Sequence, residues 1–503
     1  MARYKHTEAE NGQGLFLTVN LQEQLLPETF EYMLNDLIGK KIDISIFDDN
    51  YTNDETGSKA IPPAVLIKLI IYGYSKGIKS SRKLMDLAKE NIIVKALTGD
   101  MEPHWTTIAN FISGNSEKFQ EVFVKVLAYC NELGLIGGET FAIDGCRLPS
   151  NASMEMSGTK EELEKKLAMY RKMTEKHIAK HQKQDESGEM TTEEKQHYEE
   201  RQKQLSRQVE KIDDFLKTME KKKGQRGDEI KSNVTDNESA MIKSSSGCFQ
   251  GYIGIAVSDK KNQIIMHAEA VGSATEVEYL PSLLDGTLDN MKEAAIKTPE
   301  GKKATLMGDA NYFSEKNLNF CQEREIEAII PDNQHKKRLR ESNGSRFEAV
   351  DFKYHEDEDY YECPNGKRLN NKGIIPLLGR SGKRYQASVK DCRMCSLNSR
   401  CIKTKKKIDQ CDKGRQLFIT ERNEPGGVCV EMRKKLSTNE YQDLYAFRIQ
   451  IIEPVFANIK YAKGLNRFML RGKKKVNGQW KLYCIVHNLS KCLGEYNQKR
   501  DTA

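Results

Sequence analysis

The 503-residue sequence predicts an α/β protein: an all-α N-terminal segment, then a mixed-sheet core split by a helical hairpin and by a β-rich, cysteine-bearing segment. Three observations predict this. Apolar residues recur at helical spacing to about residue 135 and then switch to short strand-like runs. Residues 155–230 are dominated by Glu, Lys and Gln and carry two helix-start signatures. Residues 332–435 are basic and Gly-rich and hold the cluster Cys363, Cys392, Cys395 and Cys401.

Within 1–135, Ile61-Pro62-Pro63 opens an apolar helix through Leu66, Ile70 and Ile71, and Ser80-Ser81 opens a second toward Ile93. A third begins at Thr106 after Pro103. Arg82, Lys83 and Lys89 suit either a DNA-binding head or a structural cap, which helicity alone does not separate. Glu139 to Gly145 reads as a short strand ending on Asp144 and a turn glycine. Thr159 with Glu162 and Thr191 with Glu194 form capping boxes. Tyr198, Leu205, Val209, Ile212, Leu216 and Met219 make an apolar stripe, so this part reads as an antiparallel hairpin resembling a coiled coil. Its charges nearly cancel, which favours a solvated arm or dimerisation element over a DNA groove.

Strands resume at Gly251–Val257 and Gln263–Glu269, joined by a turn at Asp259-Lys260-Lys261-Asn262. Ser273 with Glu276 reads as the cap of a helix through Leu280, Leu283 and Leu284. Lys303 to Asp309 is a strand, again ending on an aspartate; a helix from Ser314 and a strand at Glu327–Pro331 close the 136–331 part. In 436–503, Ser437 with Glu440 reads as the cap of a long helix reaching about Lys460.

With a mass of 57.4 kDa the chain fills roughly three domains of ~150 residues. Hydrophobic residues are 38% and the mean hydropathy is −0.68, and no apolar run approaches the ~20 residues a membrane helix needs. Residues 1–20 mix Arg3, Lys5, Glu8 and Glu10, unlike an export signal. Twelve cysteines in so long a chain do not make a disulfide scaffold, so the expected location is the reducing cytoplasm, at the nucleoid.

Setting the hairpin and the basic island aside leaves strand, strand, strand, helix, strand, helix, strand, helix. That is the element order of the RNase H-like fold, in which the first and fourth strands are neighbours. Asp144 and Asp309 would then lie side by side, and Glu453 on the last helix could close the set. Two divalent ions ~3.5–4 Å apart on a scissile phosphate need such oxygen ligands. Taken singly, Asp144 before Gly145 reads as a turn residue and Glu453 before Pro454 as solvent-facing. The ordering of the three favours function.

Phe141-Ala142-Ile143-Asp144-Gly145, Gly308-Asp309-Ala310-Asn311-Tyr312-Phe313 and Ile452-Glu453-Pro454-Val455-Phe456-Ala457-Asn458-Ile459-Lys460 resemble the three signature blocks of DDE transposases of bacterial insertion sequences. The resemblance, to the branch with an N-terminal helical domain and a β-rich insertion before the glutamate, covers about residues 20–495. It implies Asp144, Asp309 and Glu453 as ligands of Mg²⁺ (or Mn²⁺) in a two-metal site. It further implies Tyr445, Arg448 and Lys460 on DNA phosphates, although four residues separate Arg448 from Glu453 where the usual signature has three. Asn311 stands where the family often has Gly. Asp236 resembles a further family acid and reads as local turn chemistry.

Cys392-x2-Cys395 with Cys363 and Cys401 has the pattern of a structural Zn²⁺ site, against thiols that hold no metal. From Lys367 to Arg415 there are 15 Lys plus Arg against three Asp, and from Lys460 to Lys491 nine bases and no acid. Lys405-Lys406-Lys407 and the run Arg471, Lys473, Lys474, Lys475 read as a DNA track as against a solvated surface. Trp480 and Tyr483 read as core packing in preference to base stacking. The expected protein is a transposase that binds inverted repeats on double-stranded DNA, cuts and joins strands, and works as a homodimer. The alternatives are a non-catalytic, domesticated DNA-binding protein and a hydrolytic nuclease of the same fold.

Overall fold

A computed structural model describes residues 18–50, 59–187, 191–224, 227–244, 247–340, 347–377, 380–402, 413–420 and 426–501. The run Lys405-Lys406-Lys407 lies outside them. The N-terminal part is a bundle of α1 (Phe30–Leu37), α2 (Pro63–Ser75), α3 (Ser81–Glu90), α4 (Ile92–Thr98), α5 (Trp105–Gly114) and α6 (Phe119–Glu132). Proline in the first turn of α2 lacks only an amide that the helix would leave unbonded. Nearly every face of α2 is apolar and nearly every face is buried, Leu66, Ile67 and every residue from Leu69 to Tyr74 included. On α3, Leu84 and Ala88 point inward while Arg82, Lys83 and Lys89 are exposed, with the Arg82 guanidinium 4.9 Å over the Trp105 ring.

The sheet domain begins with β1 (Thr140–Pro149) and the short β2 (Ser157–Gly158). The chain then leaves on α7 (Lys160–Ser187) and α8 (Thr192–Thr218), and returns through β3 (Ser232–Asn233), which pairs with β2. Both capping boxes form: the Thr159 and Thr191 amides donate to Glu162 and Glu194, each at 2.9 Å. Arg171 bridges to Asp213 at 2.7 Å across the hairpin, and Ile212 packs with Met156 and Leu167 at its base.

Next come β4 (Ala240–Ser244), β5 (Gly247–Asp259), β6 (Ile265–Val271), α9 (Leu280–Glu293), β7 (Thr305–Met307), α10 (Glu315–Glu323) and β8 (Glu327–Ile329). The sheet order is β4-β5-β1-β7-β8, with β6 also on β5. The β1–β5 and β5–β6 pairs are antiparallel; β7 is parallel to β1 and β8 to β7. Three sequence expectations are corrected. β1 does not end at Asp144-Gly145, because the long β5 continues to pair with it through Pro149↔Gly251. Helix α9 does not start on a Ser273–Glu276 cap; it follows a short 3-10 turn at Val277–Tyr279. The glutamate helix is N-capped at Thr438, since Ser437 turns its hydroxyl back to the Lys434 carbonyl.

A second sheet follows α11 (His335–Arg340). Its strands are β9 (Lys353–His355), β10 (Tyr360–Glu362), β11 (Arg368–Leu377), β12 (Arg380–Ala387) and β13 (Gln416–Ile419), in the order β13-β12-β11-β10-β9. Between β12 and β13 lie α12 (Val389–Arg393) and α13 (Asn398–Cys401). Phe352, Tyr361, Leu369, Tyr385, Leu417 and Ile419 form its own core. The chain finishes with α14 (Val428–Lys435), α15 (Asn439–Ala457), a π-turn at Asn458–Ala462, and α16 (Lys473–Asp501).

Helix α16 joins the parts. Trp480, Tyr483, Cys484 and Leu489 are fully buried, and bundle and main sheet share one continuous core through them. Tyr483 stacks on Tyr74 of α2 at 4.6 Å, and Trp480 donates to the Ile255 carbonyl at 3.0 Å over Gly254. Core packing, the favoured reading for both aromatics, is what they do. Among the described residues no helix is long and apolar enough to cross a membrane.

Candidate active site

Because β1 and β7 are parallel neighbours, they carry Asp144 and Asp309 to one edge of the site. Asp309 caps the 3-10 turn Ala310–Tyr312, accepting the Asn311 amide and the Asn311 Nδ2, each at 2.9 Å. Burial pushes its carboxyl above the usual aspartate range, the negative charge of Asp144 adds to that, and Arg448 and Arg147 oppose it. Asp144 accepts the Gly145 amide at 2.8 Å through Oδ1, and the Arg448 Nη1 at 2.9 Å through Oδ2.

Arg448 comes from α15, whose inner face also carries Ile451, Ile452 and Val455. Its guanidinium is mostly buried, and its Nε has no hydrogen-bond partner among the described residues. Tyr445, one turn earlier, has its ring 5.9 Å from that guanidinium, and burial raises its phenol. Tyr445, Arg448 and Asp144 therefore stand in one row.

Glu453 lies on the same helix, five residues and about 7.5 Å along the axis beyond Arg448. It is exposed, and no hydrogen bond or ion pair ties it to another described residue. Pro454 cannot donate to the Gln450 carbonyl one turn back. The Gln263 Nε2 donates there instead, at 2.9 Å. Lys460, in the π-turn, reaches toward β1: burial pushes the Cys146 thiol up to about 11 and the Lys460 charge opposes it.

The expected basic track is partly engaged inside the protein. Lys473 pairs with Glu269 at 3.0 Å, Lys474 with Glu117 at 2.7 Å, and Arg471 Nε donates to the Asn151 carbonyl at 3.0 Å. Lys475 is exposed. Asp236 is buried and accepts the Tyr252 hydroxyl on both oxygens at 2.9 Å.

Sequence reasoning missed Glu276. It is 4% exposed, and its Oε2 accepts the Tyr312 hydroxyl at 2.9 Å. Burial pushes its carboxyl up to about 7; Tyr312 opposes the rise, and Asp144 and Asp309 add to it. The available signal was Ser273-x-x-Glu276, which has the pattern of a capping box and so pointed to a helix start.

Cys363, Cys392, Cys395 and Cys401 line a single pocket beside the second sheet. The Lys367 amide donates to Cys363 Sγ and the Arg415 amide to Cys392 Sγ, each at 3.3 Å. Burial raises the Cys392 and Cys401 thiols, and neighbouring cysteines add to the rise. Among the described residues no group of three or more Cys, His, Asp or Glu is arranged to hold a metal ion. That holds equally for the acidic set, in which Asp144 and Asp309 are close and Glu453 is not joined to them.

A mixed sheet in which an antiparallel β6-β5-β1 meander is extended by parallel β7 and β8, with one aspartate on β1 and another just past β7, is consistent with the RNase H-like core of DNA-processing proteins. Residues 362–493 match the model of a transposase DDE domain, and residues 19–114 that of a transposase domain (DUF772). The two matches support a DDE transposase of insertion sequences, with the DUF772 domain N-terminal and the DDE domain C-terminal. The DDE match takes in Glu453 and the four cysteines but neither aspartate. No curated protein matches the chain.

Proposed function

We propose that this transposase binds the terminal inverted repeats of its element as a homodimer, then cuts and joins the strands at a site formed by Asp144, Asp309 and Glu453. The observation that carries the reading is the Asp144–Asp309 pair with the Arg448 guanidinium against it: facing carboxylates in a partly buried setting demand positive charge. Hard oxygen donors of this kind fit Mg²⁺ or Mn²⁺, for which Asp144, Asp309 and Glu453 would be the ligands. When bound, paired divalent ions activate the attacking oxygen and stabilise the leaving one.

The chain's own groups prepare for this. Asn311 fixes the Asp309 carboxylate by two hydrogen bonds, and the Asp144 backbone neighbour fixes one oxygen of the other. Arg448 neutralises Asp144 until another cation takes that role, after which its guanidinium is free to turn to a DNA phosphate with Tyr445 and Lys460. Arg471, Lys473, Lys474 and Lys475 add phosphate contacts, the two paired lysines by exchanging their carboxylate partners for phosphates. Water serves as nucleophile for nicking and a DNA 3′-hydroxyl for joining, both by in-line phosphoryl transfer.

Asp144→Asn, Asp309→Asn and Glu453→Gln should each lower metal-dependent cleavage of DNA carrying the element's ends by at least ~10³-fold, with DNA retention unchanged; full cleavage by any one would remove that residue from the set. Detection of joined product separates the transposase from a nuclease that only nicks. A wild-type protein that binds ends without cutting them would be the domesticated form.

A second metal role is favoured by the amide donors aimed at Cys363 and Cys392. We read the four-cysteine pocket as closing on structural Zn²⁺ when thiolates replace thiols, stiffening the second sheet. Elemental analysis of protein purified without chelator should find about one zinc per chain, and Cys395→Ser should reduce it; none in the wild type removes this role.

A further inference from the structure

Gly145 follows Asp144 within β1, and its backbone is not in the left-handed region, so its missing side chain answers to space. A methyl group built there would lie 2.5 Å from Glu276 Cδ and 2.7 Å from Ile253 Cγ2, far inside van der Waals contact. Glu276 also accepts the hydroxyl of Tyr312 at 2.9 Å, and Tyr312 ends the turn that Asp309 caps. Tyr312 is itself fully buried, and its carbonyl accepts Asn317 Nδ2 at 2.9 Å, so the phenol is a fixed post. One carboxyl thus abuts the backbone beside the first aspartate and is bonded to the turn that presents the second.

We propose that Glu276 is a positioning residue of the acidic site: seated over Gly145 and bonded to Tyr312, it sets the spacing between Asp144 and Asp309. The proposal rests on the phosphoryl-transfer reading above. It also accounts for two features of the signature blocks at once, the glycine after Asp144 and the tyrosine three residues after Asp309. Both leave room for, or hold, the same side chain.

The test is Mn²⁺ uptake by the full chain, read from the electron paramagnetic resonance signal of the free aquo ion, with thermal unfolding of every variant to confirm the fold. Glu276→Gln keeps shape and acceptor and should bind within about 3-fold of wild type. Glu276→Ala and Tyr312→Phe should weaken affinity by about tenfold, the lower end of what outer partners of metal ligands contribute. Gly145→Ala should also weaken it, and the double variant with Glu276→Ala should lose less than the product of the two, because the obstructing carboxyl is gone. Wild-type affinity in both Glu276→Ala and Tyr312→Phe overturns the proposal. So does a Glu276→Gln loss as complete as that of Asp144→Asn, which would make Glu276 a ligand. A wild type that takes up no Mn²⁺ overturns the functional reading and this proposal with it.

Discussion

Pro454 directly follows Glu453, and at residue scale the question is how α15 tolerates it. The ring removes the amide that would have bonded to the Gln450 carbonyl, and the Gln263 side chain supplies the missing donor. Gln263 does so from a left-handed backbone, φ 60°, while Lys491 donates to its Oε1 at 2.8 Å and His487 Nε2 lies 2.9 Å from its carbonyl. The tight β5–β6 turn is therefore tied both to the glutamate helix and to α16. Gln263→Ala should lower stability by about 1–2 kcal/mol through the lost side-chain bonds. Gln263→Gly loses the same bonds but relieves the left-handed strain, so it should be milder by about 1 kcal/mol. Urea unfolding of the three proteins measures this; Gln263→Ala unfolding with the wild type would mean that water replaces the donor at no loss. Nothing local in the sequence marks Gln263, since its partner lies 187 residues away.

At the scale of elements, what was legible depended on whether the signal was local. The two capping boxes of the hairpin formed as read, because each needs only a Thr and a Glu three residues apart. The same pattern at Ser273 and Glu276 misled, because a buried phenol competes for the carboxylate and wins it. Asp144 and Asp309 were legible as a pair since β1 and β7 run parallel from Thr140↔Thr305 to Ala142↔Met307, and each aspartate stands two residues beyond that register. The length of β1 was not legible, since its last five residues are ordered by β5, a strand about a hundred residues later. The basic end of the chain shows the same limit. Counting charges between Lys460 and Lys491 suggests an open cationic surface, yet Lys463 is buried on Ser490 Oγ at 2.8 Å and Lys473 and Lys474 meet Glu269 and Glu117. Those partners come from β6 and from the segment before α6, and only the folded arrangement brings them there.

Across the whole molecule, bundle, sheet and α16 share one core, so its buried titratable groups act on the stability of all three. Burial is the main cause that lowers His267 to about 3 and His487 to about 4. Both are therefore neutral in the fold but take up protons when unfolded below about pH 6.5. A depressed folded pKa means that the unfolded chain holds more protons in that window, so stability is present above pH 6.5 and is lost as pH falls toward the folded values. Each histidine contributes a slope of about 1.4 kcal/mol per pH unit. Glu276 acts in the opposite sense: its folded pKa is raised, so its share of stability is present below about 4.5 and is lost as pH rises toward 7. Between pH 5 and 6.5 one glutamate therefore cancels part of what two histidines do. The wild type should unfold at lower urea at pH 5 than at pH 7, and Glu276→Gln should widen that difference by removing the opposing group. Equal midpoints at the two pH values in both proteins would show that the histidines take up protons as readily in the folded state as in the unfolded one.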